Sequence, residues 1–186
     1  MVLIVLDSCV LYPASLRDLL LTLASFDAYD VAWTEEILEE LRRNVVADHP
    51  GIDAGRFVKH TLGAMRSAFP EANVVGYEHL TATFDNDLKD RHVAAAAVAA
   101  SASAIITVNV TDFRSPLLDA AGIKVISPGE LVEGLLGEEP AVVIAAIEHL
   151  SRRWTRPTRT TSEIFDLLAR HPTMGRAIDA LRALMD

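Results

Sequence analysis

The stretch VLIVLD (2–7) ends a run of five aliphatic residues directly on an acid, with no turn residue between them. A short apolar run of this kind predicts a buried strand. Three further runs share its character, at YDVAW (29–33), AIITV (104–108) and IKVIS (123–127), and longer helix-like stretches separate them. Alternation of short strands with helices predicts an α/β fold with a parallel sheet.

The segments between and after these strands carry helical patterns. They cover residues 14–26, 34–46, 54–68, 90–103, 114–121 and 127–136, and beyond Pro140 residues 141–154, 161–170 and 174–185. Thr34 and Ser127-Pro128 are plausible helix starts, and Gly122 is placed to end a helix. The alanine-rich run at 92–104 predicts a helix that lies close against the sheet. Beyond Pro140 the patterns predict helices and no strand.

Composition indicates a globular protein of 186 residues, 51% hydrophobic and 23% charged. The length predicts one domain, or one domain with an appendage. The N-terminal apolar run is too short to span a membrane and lacks the pattern of a signal peptide, so we expect a cytoplasmic protein. Cys9 is the only cysteine, which excludes an internal disulfide and any zinc site built from several cysteines. We expect it to be a buried structural residue.

The net charge of −9 argues against a nucleic-acid partner until its distribution is considered. Residues 1–150 hold ten Lys/Arg against twenty-two Asp/Glu, whereas residues 151–186 hold seven against four. In this basic part, RRWTRPTR (152–159) places four arginines around Trp154. The segment either contacts phosphates and stacks on an unpaired base, or forms a solvated helix end whose Trp154 packs on the main domain.

Polar side chains follow two of the predicted strands at the edge where an α/β sheet binds its ligands. Asp7 ends the first strand, and Asn109 and Asp112 follow AIITV. Ligands of open α/β sheets bind outside the carboxyl ends of the strands, so these groups should share one rim. Asp112 has an alternative role as a cap of the helix at 114–121. Asp7 is hardest to explain otherwise, because a buried carboxylate is costly without a partner.

Two further groups of acids are placed to join this rim. Glu40 lies beside the apolar stripe of its predicted helix, and Asp87 and Asp90 precede the alanine-rich helix. The alternatives are that Asp90 is only an N-cap and that Glu40 is a solvated helix acid. If the acids converge, each pair repels by about 4 kcal/mol at 4 Å, and protons or cations must relieve it. Carboxylate and amide oxygens suit Mg²⁺ or Mn²⁺, which chiefly serve phosphoryl chemistry.

Other α/β enzymes with a leading acid fit less well. A haloacid-dehalogenase-type phosphatase needs Asp-x-Asp, and Cys9 stands two residues after Asp7. No P-loop, no Rossmann glycine motif and no G-x-S-x-G elbow occurs in the sequence.

Four motifs in this order resemble those of PIN domains: VLDSCVL, TEEILEEL, the D-x-x-x-D-R-H-V-A-A-A segment and IITVNVTDF. The resemblance covers roughly residues 1–136, which we take as a PIN-like nuclease domain, with residues 137–186 as a helical extension. It implies a three-layer α/β/α fold with a central parallel sheet, and a nuclease that uses an acidic cluster with Mg²⁺ or Mn²⁺, most often on RNA. Most stand-alone bacterial members are VapC-type toxins of toxin–antitoxin modules.

The resemblance also assigns residues. It makes Asp7, Glu40, Asp90 and Asp112 the metal ligands and catalytic acids, with Thr107, Asn109 and Asp87 as supporting polar groups. Many members carry an acid where this chain has Asn109, which puts a second metal in doubt. His92 is expected to have a structural role beside the cluster and not to act as general base. The basic groups expected to lead RNA in are Arg42, Arg43, Lys89, Arg91, Arg114, Arg152, Arg153, Trp154 and Arg156.

These expectations together describe a metal-dependent endoribonuclease, in which an activated water attacks phosphorus and leaves a 5′-phosphate. A toxin of this family is expected to pair with a small antitoxin. The apolar helices at 14–26 and 54–68 are candidates for its groove or for a homodimer face, although core packing explains most of their apolar residues equally well. Two alternatives stay open: a catalytically silent module that binds RNA or protein, and a housekeeping RNA-processing nuclease.

Overall fold

Four short parallel strands form the centre of the protein, in a computed structural model that describes residues 1–154 and 158–185. The strands are β1 (Leu3–Leu6), β2 (Asp30–Ala32), β3 (Ala104–Ile106) and β4 (Lys124–Ile126), in the spatial order β2-β1-β3-β4. All four predicted strands are confirmed. The register pairs Val5 with Ala32 on one side and with Ile105 on the other, so β1 and β3 end at the same rim.

Helices cover both faces of this sheet. Ile4, Val5 and Leu6 are all buried, and successive strand residues point to opposite faces. The first eight helices are α1 (Ser8–Leu11), α2 (Ala14–Ser25), α3 (Glu35–Asp48), α4 (Ala54–Phe57), α5 (Gly63–Ala68), α6 (Arg91–Ala99), α7 (Pro116–Ala120) and α8 (Pro128–Glu138). The expected three-layer α/β/α arrangement is confirmed.

The alanine-rich helix α6 lies against β1 and β3, as its small side chains predict. Ala94, Ala95, Ala96 and Ala97 are fully buried. One π-helical turn at Val58–Leu62 joins α4 to α5, so the predicted helix at 54–68 is continuous but irregular. Helix α1 and two 3₁₀ turns, at Glu78–Thr83 and Val110–Phe113, are not predicted from the sequence, because each is too short to show a period.

Helix ends follow the predicted capping residues. Thr34 Oγ1 accepts a hydrogen bond from the Ile37 backbone N–H at 3.1 Å at the start of α3. At α8, Ser127 and Glu130 form a reciprocal capping box, in which the Ser127 hydroxyl accepts from the Glu130 N–H and the Glu130 carboxylate accepts from the Ser127 N–H. Gly122 has a positive φ of 70° just before β4, a backbone conformation that favours glycine.

Three C-terminal helices complete the fold: α9 (Pro140–Arg153), α10 (Thr161–Leu168) and α11 (Gly175–Met185). α9 and α10 pack on α2, while α11 packs on α8. Val143, Ile147 and Leu150 belong to one apolar core that also contains the strands. The boundary predicted between residues 136 and 137 stays a prediction.

The apolar face of α2 is already occupied by the chain itself. Leu16, Leu19, Leu20 and Leu23 are fully buried within the protein. These residues therefore serve the core and do not form an open groove. Over the described residues, every helix is too short or too polar to cross a membrane.

Candidate active site

Asp7 lies where β1 ends and α1 begins. Its backbone N–H donates to the Ile106 carbonyl at 3.1 Å, which ties it to the end of β3. The side chain is only 4% exposed, and its Oδ2 accepts from the Thr107 hydroxyl at 2.7 Å and from the Cys9 thiol at 3.0 Å. The costly carboxylate at the end of an apolar strand is therefore held by two donors on one oxygen.

Cys9 supports Asp7 and is not only a filler of the core. Its Sγ lies 3.3 Å from Thr107 Oγ1 and accepts from the Val108 N–H at 3.4 Å. Burial, followed by the charge of Asp7, raises the pKa of this thiol to about 12. The sequence analysis did not place Cys9 in the site. The available signal was its position two residues after Asp7, where a helical turn brings the side chain back to the carboxylate.

Asp90 is the second buried acid. It precedes α6, it is 7% exposed, and its side chain makes no capping hydrogen bond among the described residues. The interpretation as a simple N-cap is therefore not supported. Its Oδ2 is buried without a hydrogen-bond partner in the described part of the chain. Burial first, and then the neighbouring charge of Asp7, raises the pKa of Asp90 to about 6.

Asp87 and Asp112 complete the negative field around Asp90, since both of their charges also raise its pKa. Both side chains are exposed. Asp87 accepts from the Lys89 backbone N–H at 3.2 Å. Asp112 lies in the 3₁₀ turn after β3, and the cap of α7 is Ser115, whose Oγ accepts from the Leu117 N–H at 3.3 Å. The alternative of Asp112 as the cap of that helix is therefore wrong.

Glu40 approaches His92, which stands two residues after Asp90. The charge of Glu40 is not among those that raise the pKa of Asp90. Glu40 Oε2 lies 3.8 Å from His92 Nε2, and the two side chains come from α3 and α6. His92 is buried, and within residues 1–154 and 158–185 its Nε2 has no hydrogen-bond partner. Asn86 on the same segment buries both polar atoms of its amide without a described partner, and the sequence analysis did not single it out. Asn86, Asp90 and His92 thus each bury polar atoms that have no hydrogen-bond partner among the described residues.

Thr107 and Asn109 form a short relay at the end of β3. The Asn109 backbone N–H donates to Thr107 Oγ1 at 3.1 Å, and this hydroxyl in turn donates to Asp7. The Asn109 side chain is exposed. Asn109 is therefore linked to Asp7 through the hydroxyl of Thr107.

A divalent cation fits the chemistry of these donors. Asp7 and Asp90 contribute carboxylates that repel one another, and the buried Oδ2 of Asp90 has no hydrogen-bond partner among the described residues. The charge of Lys89 offsets this repulsion only in part, since the pKa of Asp90 still rises. Among the described residues no three His, Cys, Asp or Glu side chains are grouped closely enough to enclose an ion as they stand. The carboxylates would have to draw together around a cation, which the burial of unpaired charge favours.

Most of the predicted RNA-binding groups are already paired within the chain. Arg42 forms a bidentate bond with Glu39, Arg91 Nε donates to the Asn86 carbonyl, Lys89 Nζ lies 3.9 Å from Asp87, and Arg152 lies 3.6 Å from Glu148. The remaining positions are more open. Arg43 is exposed on α3, Arg114 lines a surface groove beside β4, and Arg153 lines another groove beside α2.

Trp154 packs on the main body of the protein. Its Nε1 donates to Asp18 Oδ2 of α2 at 3.1 Å, and the Arg159 guanidinium lies 5.7 Å from its ring centroid. This contact favours the packing alternative over an indole that is free to stack on a base. Arg156, also predicted to bind RNA, lies outside the described residues.

Comparison with known proteins agrees with this arrangement. A family model for the PIN domain matches residues 3–111. The chain is 32% identical over 93 residues to the protein named "Putative ribonuclease VapC50" of Mycobacterium tuberculosis (strain ATCC 25618 / H37Rv), a match that covers 50% of this chain and 55% of that protein. The chain thus spans about half the length of this curated relative. No solved structure matches. Since the family match covers more than half of the chain and includes the ends of β1 and β3, the protein belongs to the PIN domain family.

Proposed function

We propose that this protein is a metal-dependent endoribonuclease that hydrolyses RNA phosphodiester bonds at the Asp7–Asp90 cluster. The observation that carries the proposal is that the buried Oδ2 of Asp90, in the field of the buried Asp7, has no hydrogen-bond partner in the described part of the chain. A cation between Asp7, at the end of β1, and Asp90, at the start of α6, would relieve the repulsion of two buried carboxylates. Mg²⁺ and Mn²⁺ are the cations that oxygen ligands prefer.

Asp7 and Asp90 would hold the cation, with Asp112 and Glu40 closing in from the rim. When bound, the ion lowers the pKa of a water and neutralises charge on the phosphodiester. Thr107 and Cys9 donate to the same oxygen of Asp7 and so fix the orientation of its carboxylate, which would hold the cation. His92 of α6 lies 3.8 Å from Glu40 Oε2 of α3 and would help to position that carboxylate. The acids alone would repel RNA, so substrate binding and metal binding should depend on each other.

The role we propose is that of the toxin in a VapBC-type pair. The similarity to a VapC protein supports this role, although it covers only about half of each chain. A small antitoxin would then be the protein partner, and an RNA substrate would place the protein in the cytoplasm. Expression in a bacterial host tests the role: growth should stop with the wild type and continue with Asp7→Asn. Harmless expression of an active nuclease would instead favour housekeeping RNA processing.

Cleavage of a mixed pool of structured RNAs by the purified protein tests the activity. We expect cutting with Mg²⁺ or Mn²⁺ that disappears with EDTA and with Asp7→Asn, and products that carry a 5′-phosphate. Asp119→Asn is a matched control, because Asp119 is an exposed acid on α7. It lines the surface groove beside β4, which Asp7 and Asp90 do not line. Equal cutting by wild type and Asp7→Asn would refute the proposed mechanism.

A silent RNA- or protein-binding module is the second candidate. It is favoured by the amide at Asn109 and by the absence, among described residues, of a ready-made group of three metal-binding side chains. An inert wild type that still binds RNA in the presence of Mn²⁺ would support this candidate over the nuclease.

A further inference from the structure

A groove of about 310 Å³ opens between α2 and the segment from the π-helical turn through α5. Its third wall is the C-terminal end of α9, which contributes Arg153. Residues 3–111 match the PIN domain, so the C-terminal helices complete a groove whose other walls belong to that domain. We call it the α2–α5 groove. It is distinct from the acidic cluster at the strand ends.

Arg17 is a buried cation at this groove. It is only 9% exposed, and its Nη1 donates to the Leu11 carbonyl at 2.7 Å. In the described part of the chain no carboxylate lies within ion-pair distance of its guanidinium. Burial lowers its pKa, and only the nearby charge of Asp18 opposes this effect. A buried guanidinium whose nearest opposite charge, Asp18, is not in direct contact remains costly, so an anion that enters the groove would gain from pairing with it.

Other donors line the same groove. Arg153 adds a second guanidinium and His60 adds a ring N–H. Asp18 contributes a carboxylate to the same wall, and its charge would repel an anion. Its Oδ2 already accepts a hydrogen bond from the Trp154 indole N–H at 3.1 Å. Met65 and Phe69 provide apolar surface beside these polar groups. Guanidinium forks match phosphate oxygens in geometry and charge.

The groove lies close to the acidic cluster along the chain. Asp7 immediately precedes α1, and Leu11, whose carbonyl holds Arg17, ends it. Four helical residues rise by about 6 Å. Arg17 is therefore tied to the end of the short helix that begins directly after Asp7.

We propose that the α2–α5 groove binds a backbone phosphate of the RNA substrate and holds the strand beside the acidic cluster. This inference rests on the proposed function for the identity of the ligand. It gives the C-terminal extension a role, because Arg153 of α9 supplies one of the phosphate contacts. The guanidinium groups of the groove would also explain how a chain with a net charge of −9 holds RNA near a cluster of acids.

Binding of a labelled single-stranded RNA to the full-length Asp7→Asn protein in EDTA tests the proposal without cleavage. Arg153→Gln and His60→Gln should each weaken binding by about 3- to 10-fold, and Arg153→Gln, which removes a positive charge, should also make the slope of log K against log salt shallower by about 0.7. Arg170→Gln is the control, since Arg170 is an exposed arginine of the same basic region outside the groove. Its affinity and salt slope should be unchanged.

Arg17→Met is the strongest variant but removes the bond to Leu11, so its folding must be checked by circular dichroism. The two surface variants keep the test decisive if Arg17→Met does not fold. Equal affinities for Arg153→Gln, His60→Gln and Arg170→Gln would overturn the proposal. It would also be overturned if an acidic oligopeptide bound in a manner that depends on Arg153 and RNA did not.

Competition separates two sources of phosphate. If the RNA strand is the ligand, inorganic phosphate at matched ionic strength should displace RNA only weakly. Complete displacement by inorganic phosphate at low concentration would indicate a site for free phosphate and overturn the assignment to RNA. This binding test does not depend on catalysis. If the wild type does not cleave RNA but RNA binding still depends on Arg153, the proposed nuclease activity is refuted and the proposed phosphate site in the α2–α5 groove is supported.

Discussion

The hydroxyl of Thr107, at the end of β3, donates a 2.7 Å hydrogen bond to Oδ2 of Asp7, at the end of β1. Thr107 is fully buried and Asp7 nearly so, and one hundred residues separate them along the chain. The bond joins two neighbouring parallel strands at the rim and fixes the orientation of the carboxylate. Stability and function should therefore depend on the same contact.

Thr107→Val keeps the shape of the side chain and removes the donor. We expect a loss of about 1–3 kcal/mol in the free energy of unfolding, because a buried carboxylate is left with the thiol of Cys9 as its remaining side-chain donor. Urea denaturation followed by circular dichroism measures this loss. Thr107→Ser retains the hydroxyl and should recover most of the stability. Equal midpoints for the Val and Ser variants would show that the bond contributes little.

Asp90 should destabilise the metal-free protein at neutral and alkaline pH. Its pKa rises from an ordinary 3.8 to about 6 on folding, so the folded state holds the proton more tightly than the unfolded chain. As pH rises from about 4 to about 6 the free energy of unfolding should fall, and above that range the loss is complete. In EDTA at pH 8, Asp90→Asn should be more stable than the wild type by on the order of 2 kcal/mol.

At pH 4 the two proteins should differ little, because Asp90 is then protonated in the folded state. Urea unfolding at both pH values checks the prediction. A variant that is less stable than the wild type at pH 8 would mean that the ionised Asp90 has a favourable partner.

The thiol of Cys9 should be unreactive in the folded protein. Burial and the charge of Asp7 raise its pKa from 9.0 to about 12, so almost no thiolate exists at pH 8. We expect labelling by a disulfide reagent to be about 10³-fold slower than in urea. Cys9→Ser controls for background absorbance. Cys9 is half-buried, so labelling of the native protein at the rate of the unfolded chain would contradict the effect of its surroundings on the thiol pKa.

Gly129 should be required where α8 meets the loop before α11. A Cβ at this position would lie 1.8 Å from the Thr173 carbonyl oxygen, so Gly129→Ala should cost about 1–3 kcal/mol or more. Gly134 lies in the same helix with nothing within 4 Å of the corresponding point. Gly134→Ala should therefore stabilise the protein by about 0.5–1 kcal/mol. Thermal unfolding compares the two, and changes of the same sign would contradict the assigned packing.

The strands and the longer helices could be predicted from the sequence because their periods and capping residues are local. Thr34, Gly122 and Ser127 each mark a boundary through the chemistry of their own backbone neighbourhood. The fold family was also accessible, because four motifs along the chain carry it. Short elements such as α1 contain too few residues to show a pattern.

The partners of each side chain could not be predicted. Asp7 was identified from its position after an apolar strand, but its bond to Thr107 depends on the order of the strands. Cys9 was assigned to the core, but its thiol contacts Asp7. The pairing of Arg42 with Glu39 depends on the side-chain rotamers, which the sequence does not specify. Trp154 lies 136 residues from its acceptor Asp18, a distance that only the packing of α9 on α2 closes.

Titration of Mn²⁺ into the metal-free protein by calorimetry tests most directly whether Asp7 ends its strand to hold a divalent cation. The wild type and the control Asp119→Asn should bind Mn²⁺ with the same affinity, and Asp7→Asn should bind it roughly 10-fold or more weakly. A wild type that does not bind Mn²⁺, or an Asp7→Asn variant that binds it equally well, would contradict the assignment of the acidic cluster as a metal centre.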